Sequence, residues 1–338
     1  MEPDIRLGTR ALHVSPAMEV DTIVGCPACG SAEWAAAGPS RLDGYRVRRC
    51  ADCQLVYSDP MKSGDSAWYA SSWLYGSQES NGVPAGSERR IPWNFAQALS
   101  MLRGAEGKKL LDVGCAEGYF LSLARELGCE ITGVDFNPVS VEIARKLLGA
   151  STVYQYRVEE LGDRFPGAQF DVATIFEVLE HTADPYQTVR SIHGLLKRPG
   201  KLLLSVPGNR RWPSIFNSEV DAPPHHLTLW TEESLRRLLE RAGFRVHDVR
   251  AKPLEADELD MHLRWRLRQA VRRFRAKHRE ASSADRETSM GAHARSGKAS
   301  RSEILRELRM LGLSLVCRAL RLNAKAGGFT LFAHCEKA

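Results

Sequence analysis

The sequence predicts an α/β protein: a largely parallel sheet with helices on both faces, fronted by a small cysteine-rich module. Three observations carry that expectation. Leu110–Phe120 reads LLDVGCAEGYF, an apolar run suited to a buried strand, a turn bracketed by Gly114 and Gly118, then the opening of an amphipathic helix. GCEITGVDFNP follows with a second strand that ends at Asp135, about 20 residues past the turn, where a carboxylate can accept ribose hydroxyls. FDVATIF (Phe170–Phe176) and KRPGKLLLSVP then add strand runs separated by helical patterns, the alternation that builds parallel sheets.

The 338 residues, 43% hydrophobic and 26% charged, suffice for one large α/β domain plus an accessory piece. The N-terminus carries early acidic residues and no apolar signal core. No apolar run approaches the ~18 residues that span a bilayer; the longest, Met310 to Cys317, is flanked by Arg309 and Arg318. A cytoplasmic protein is expected. The net charge of +6 is concentrated: residues 254–327 hold 17 Lys/Arg against 9 Asp/Glu, a surplus of 8 that leaves −2 elsewhere.

Taken in order, residues 1–22 lack periodicity and read as a loose arm. In 23–60, CPACG (Cys26, Cys29) and CADC (Cys50, Cys53) are two knuckles separated by a stretch that suits a β-hairpin. Four thiolates so spaced close a tetrahedral Zn²⁺ site with no open position, hence a structural one. A redox CxxC or four free thiols are the alternatives. Residues 61–104 form a linking segment with Trp68, Tyr69, Trp73 and Tyr75 clustered, then a short helix from about 93. The core is expected over 105–253. Pro138 starts a helix to about Leu148, and a short strand covers roughly Thr152 to Tyr156. TEESLRRLLERAGF is a helix with Thr231 as N-cap and Gly243 at its end. Strands at Phe244–Val249 and Phe329–Cys335 then flank the basic insert 254–327, with the last strand falling in 328–338.

The glycine turn reads DxGxxxG, beginning at Asp112, and lacks the full GxGxxG of dinucleotide binders. With Asp135, the FDVATIF strand and the KRPGK turn, it resembles the class I S-adenosylmethionine (SAM)-dependent methyltransferases. That resemblance implies a seven-stranded Rossmann-like methyltransferase sheet with a reversed last strand, and SAM as cofactor. It implies cofactor contacts at Asp112, Gly114, Cys115, Ala116, Gly118, Tyr119, Asp135, Phe136, Phe176 and Glu177. Val158 and Glu159 are candidates for the adenine edge, a solvated acidic turn being the other reading. The aromatic segment after the ribbon either caps the pocket or packs between ribbon and core. Ala116 stands where the family usually has glycine, which a methyl tolerates if φ stays negative.

Methyl transfer to oxygen or carbon needs a base near the methyl group. Two stretches offer one. In EVLEH, a helical conformation would bring Glu177, Glu180 and His181 to one face. In PPHHLTLW, a stiff loop presents His225 and His226. Glu177, Glu180 and His181 with a distant histidine are also similar to the divalent-metal site of small-RNA 2′-O-methyltransferases, and EVxEH recurs in ubiquinone-pathway O-methyltransferases. The readings left open are a His base, a second divalent metal, and purely structural histidines.

The ribbon before a methyltransferase core is similar to sugar C-methyltransferases, without their larger C-terminal domain. The expected acceptor is therefore a sugar, glycan precursor or lipid-linked small molecule. An RNA methyltransferase that grips its substrate with ribbon and insert is the alternative, and a non-catalytic scaffold a further one. The apolar-striped basic helices of the insert suit peripheral contact with an anionic membrane, packing over the site, or nucleic acid.

Overall fold

The computed structural model describes residues 25–37, 44–64, 91–209, 222–253, 255, 256, 260, 264 and 327–337. The expected arm at 1–22, the Trp68–Tyr75 aromatic cluster and nearly all of the insert 254–327 lie outside the described residues.

The first sheet belongs to the cysteine module. β1 (Trp34–Ala36), β2 (Arg46–Cys50) and β3 (Val56–Asp59) form an antiparallel meander. A fourth strand arrives from far along the chain: β9 (Thr228–Leu229) pairs with β3, Val56 opposite Leu229 and Tyr57 opposite Thr228. Leu55, Tyr57 and the cysteines on the inner side join the apolar cluster that contains Leu111, Val113 and Trp230. The ribbon therefore shares the main core instead of forming a separate one.

The second sheet has seven strands. β4 (Lys109–Val113), β5 (Glu130–Asp135), β6 (Val153–Gln155), β7 (Phe170–Phe176) and β8 (Leu196–Pro207) run parallel; β10 (Phe244–Pro253) and β11 (Gly327–Lys337) complete it. The order is β10-β11-β8-β7-β4-β5-β6, with β11 antiparallel to both neighbours. β4 is buried from Leu110 to Val113, as a central parallel strand covered on both faces must be. The chain winds from β4 through β5 to β6, then restarts at β7 on the opposite side of β4. The crevice beyond the carboxyl ends of β4 and β7 is the switch point where such folds bind ligands.

The helices follow their local signals. α1 is Trp93–Met101 and α2 is Tyr119–Glu126, which buries Phe120, Leu121 and Ala124. α3 (Pro138–Leu148) starts with Pro138 at its first turn and Asn137 accepting from the Val139 amide. A four-residue turn of helix, α4 (Leu161–Arg164), precedes β7. α5 (Pro185–Leu195) is capped by Asp184, which accepts from the Gln187 amide. α6 (Glu232–Arg241) carries a capping box in which Thr231 and Ser234 bond each other's backbone amides.

Three expectations change. EVLEH is not a helix: β7 ends at Phe176, Glu177 takes a left-handed φ of 54°, and only Leu179–His181 form a 3₁₀ turn. β6 is two residues shorter than expected, whereas β10 and β11 are longer. Ala116 has φ +46°, so the condition for tolerating its methyl is not met; an L residue in that region costs about 1–2 kcal/mol.

Candidate active site

An open cavity of about 600 Å³, counting the part that merges with solvent, lies beyond the ends of β4 and β5. Its wall includes Val113, Gly114, Val134, Asp135, Phe136, Tyr156, Arg157, Val158, Glu159, Val178, His181 and Thr182, with Ser63 and Gly64 from the chain leaving the ribbon.

Gly114 must be glycine twice over. Its φ is +77°, and a Cβ there would lie 2.3 Å from Val178 Cγ2. Gly118, at φ +82°, begins α2, and its missing side chain leaves room for Leu148. Between them the strained Ala116 is held by its own amide, which donates to Asp135 Oδ2 at 2.9 Å. Asp135 Oδ1 accepts from the Asn137 amide at 2.8 Å, so one carboxylate ties the glycine turn to the start of α3. Each of its oxygens retains a second lone pair for a ribose hydroxyl. Burial pushes the Asp135 carboxyl upward, and the backbone amides of Asn137, Ala116 and Phe136 oppose that shift.

Of the residues expected to meet the cofactor, Gly114, Asp135, Phe136, Val158 and Glu159 line the cavity. Asp112, Cys115, Ala116, Gly118, Tyr119, Phe176 and Glu177 are not in its wall. Cys115 is buried, with a thiol raised by desolvation, as a packing residue would be. Ser63, Gly64, Tyr156, Arg157, Val178 and Thr182 were not foreseen. Tyr156 and Arg157 sit at the tip of β6, where the strand-end rule could have found them. Nothing in the sequence brings Ser63 to this wall.

Asp112 lies beneath the turn, 2% exposed, and accepts from Thr174 Oγ1 at 2.7 Å. Desolvation pushes its carboxyl up to about 7, from an ordinary value near 3.8. The native state thus keeps a proton that the unfolded chain releases, so stability falls as pH rises from about 4 to 7 and stays reduced above. Asp112→Asn retains an oxygen for Thr174 and removes the charge. Urea denaturation should find it stabilised at pH 8, by up to about 4 kcal/mol, and unchanged near pH 4; equal effects at both pH values would contradict this.

At the rim, three imidazoles gather. His225 and His226 stack with ring centroids 4.4 Å apart, and His181 meets them at 4.7 and 4.9 Å. His181 Nδ1 lies 2.6 Å from the His225 carbonyl oxygen, which only accepts, so Nδ1 donates and Nε2 holds the lone pair. Glu180, almost fully buried, brings Oε1 to 3.7 Å from that Nε2. Burial, with the charges of His226 and His225, lowers the His181 pKa to about 3.

The expected divalent set of Glu177, Glu180 and His181 does not assemble as one group. Glu177 turns to β8, where its Oε1 accepts from Ser205 Oγ at 2.9 Å, and Ser205 in turn accepts from Asn94. The left-handed residue and 3₁₀ turn break the helical spacing on which that set depended. Among the described residues, the metal-type cluster at the rim is His181, His225 and His226, with ligand atoms within 4.8 Å of one another.

The other such cluster is Cys26, Cys29, Cys50 and Cys53. Cys26 Sγ is 3.5 Å from Cys53 Sγ, and Cys29 Sγ is 3.6 Å from Cys50 Sγ. Zn–S bonds of about 2.3 Å in a tetrahedron require sulfurs about 3.8 Å apart. The four cysteines fit that ion. Contact with Cys53 draws the Cys26 thiol down, and the same contact together with burial pushes the Cys53 thiol up.

Seven strands in this order, with a reversed strand inserted beside the edge and a glycine turn answered by an acid on the next strand, define a Rossmann-like methyltransferase. Comparison with known proteins agrees. Residues 89–249 match the family model described as a methyltransferase domain. The ubiquinone biosynthesis O-methyltransferase of Pseudomonas aeruginosa is 37% identical over 121 residues, 35% of this chain and 50% of that protein. The protein of the same name from Bordetella parapertussis is 34% identical over 190 residues, 55% of this chain and 72% of that one. A SAM-dependent methyltransferase from Archaeoglobus fulgidus superposes with a TM-score of 0.45 at 20% identity, over 72% of this chain and 94% of the other. The chain belongs to the SAM-dependent methyltransferase family. It spans about half the length of the first curated relatives it matches.

Proposed function

We propose that this protein transfers the methyl group of SAM to an oxygen of a small acceptor. One observation carries the reading: Asp135, suited to ribose hydroxyls, and His181, suited to take a proton, face the same cavity. SAM supplies an already activated methyl group, so the chain's own work is orientation and proton removal. Asp135 and the glycine turn hold the adenosyl end, and Val158 and Glu159 border its base. His181 Nε2 accepts the acceptor's proton, with the Glu180 carboxyl beside it to receive the new N–H. The names of the relatives support oxygen as the methylated atom. A sugar, glycan precursor or lipid-linked molecule is the acceptor class we infer, with the four cysteines holding a structural zinc.

The basic segment 254–327, on which membrane and nucleic-acid contact rest, lies almost wholly outside the described residues; no described helix is long and apolar enough to cross a membrane. Calorimetric titration should find one SAM site per chain, with S-adenosylhomocysteine competing for it. Absence of heat for both ligands would remove the reading.

A further inference from the structure

The ribbon is joined to the active site at more points than a folding module requires. β9 is two residues long, and the ladder partner it has among the described strands is β3 of the ribbon. Just before it, Leu227 is held from both sides: its carbonyl accepts from the Ser58 amide at 2.8 Å, and its amide donates to the Glu180 carbonyl at 2.7 Å. Ribbon strand, histidine loop and the turn carrying His181 therefore form one hydrogen-bonded strip, and His181 Nδ1 closes it on the His225 carbonyl.

The metal-binding knuckles reach the same region. Thr231, two residues past β9, donates its hydroxyl to the Cys53 carbonyl at 2.9 Å. At the far end of α6, Arg241 donates to the Ala28 carbonyl at 3.4 Å, in the other knuckle, while its guanidinium lies 4.0 Å over the Tyr186 ring. The two knuckles thus meet opposite ends of one helix, and an ion bound to all four cysteines would fix the span between them. The chain leaving β3 then supplies Ser63 and Gly64 to the cavity wall.

We propose that the four-cysteine zinc site is a positioning element of the methyl-transfer site, holding the loop that carries His225 and His226 and the segment that walls the cofactor cavity. The inner side of the ribbon packs into the main core, and metal binding adds folding free energy that fixes its two knuckles relative to each other. Loss of the metal releases the histidine loop and the Ser63–Gly64 wall together. The inference rests on reading the cavity as the methyl-transfer site, but its failure is separable from that reading.

The test compares the full chain loaded with zinc, the same chain stripped by chelation under reducing conditions, and the stripped chain with zinc restored. Elemental analysis should find about one zinc per loaded chain. Three readouts follow: the cooperative far-UV melt of the core, the Kd for SAM, and the rate at which diethyl pyrocarbonate modifies His225 and His226, read by mass spectrometry. The stripped chain should keep a cooperative melt, bind SAM about tenfold more weakly, as a cavity competent a tenth of the time would, and lose histidine protection. Zinc should restore both. Unchanged affinity and protection after stripping would overturn the proposal. If stripping abolishes the melt, Thr231→Val decides against Ser234→Ala as control: the first cuts the bond to Cys53 along with the α6 cap and keeps all four cysteines, the second loosens the same cap without touching Cys53 and should behave as wild type. Weaker SAM binding and faster modification at unchanged zinc content support the proposal; wild-type values for both overturn it. A zinc-loaded wild type that ignores SAM would instead defeat the methyltransferase reading, and the histidine readout, which needs no cofactor, would still report on the ribbon.

Discussion

His181→Ala is expected to lower kcat by about 10²-fold, the low end of the range for removal of a general base because a pKa held so low makes a weak one, with a much smaller change in the Kd for SAM. The imidazole borders the cavity and its Nδ1 is committed to the His225 carbonyl, which leaves Nε2 as the nitrogen to accept a proton in the proposed reaction. The pH profile separates this role from a structural one. Because burial and its two neighbours lower the pKa of His181 to about 3, its basic form persists across the neutral and mildly acidic range. The wild-type kcat should show no imidazole inflection near 6.5. Stability behaves differently. The unfolded chain takes up this proton near 6.5 and the native chain only near 3, so stability falls as pH drops between those values. Acid inactivation in that window should track unfolding, measured by circular dichroism, and not titration of the folded enzyme. A kcat inflection near 6.5 in fully folded protein, absent from His181→Ala, would contradict the assigned pKa. A variant with near-normal kcat would contradict the role itself.

Gly114→Ala should destabilise the protein by about 3 kcal/mol and remove measurable SAM binding. The left-handed backbone contributes about 1–2 kcal/mol, and overpacking typically adds about 1–3. The overlap is specific: the new methyl would stand 2.3 Å from Val178 Cγ2, on the residue leading into the Glu180–His181 turn. Val178→Ala in the same chain removes that carbon. The double variant should recover the overpacking part in urea denaturation, leaving only the backbone cost. Energies that simply add, with no recovery, would show that the contact is not what excludes a side chain here.

Much of the fold was legible because its signals are local. The β4–turn–α2 unit, the Asn137 and Thr231 caps and the apolar runs of β7 and β8 are each written within a dozen residues. The candidate site was legible as a set of parts and not as an arrangement. EVLEH has helical spacing, yet Ser205, 28 positions after Glu177, holds that carboxylate on β8. No periodicity announces a strand of two residues, and Thr228–Leu229 becomes one because β3 offers an edge to it. Ala116 shows the same limit at a single position. Its backbone is set by an amide bond to Asp135, a partner 19 residues away that the composition of the turn does not reveal.

The register of the two outermost strands has a consequence for the long excursion 254–326. Pro253 on β10 faces Gly327 on β11, so the chain departs from the sheet and re-enters it at neighbouring rungs. The ends already meet, and the entropic penalty of closing such a detour grows only with the logarithm of its length. Residues can therefore be gained or lost there without shifting any rung, which makes this the place where the family scaffold is free to acquire or shed a specialised appendage.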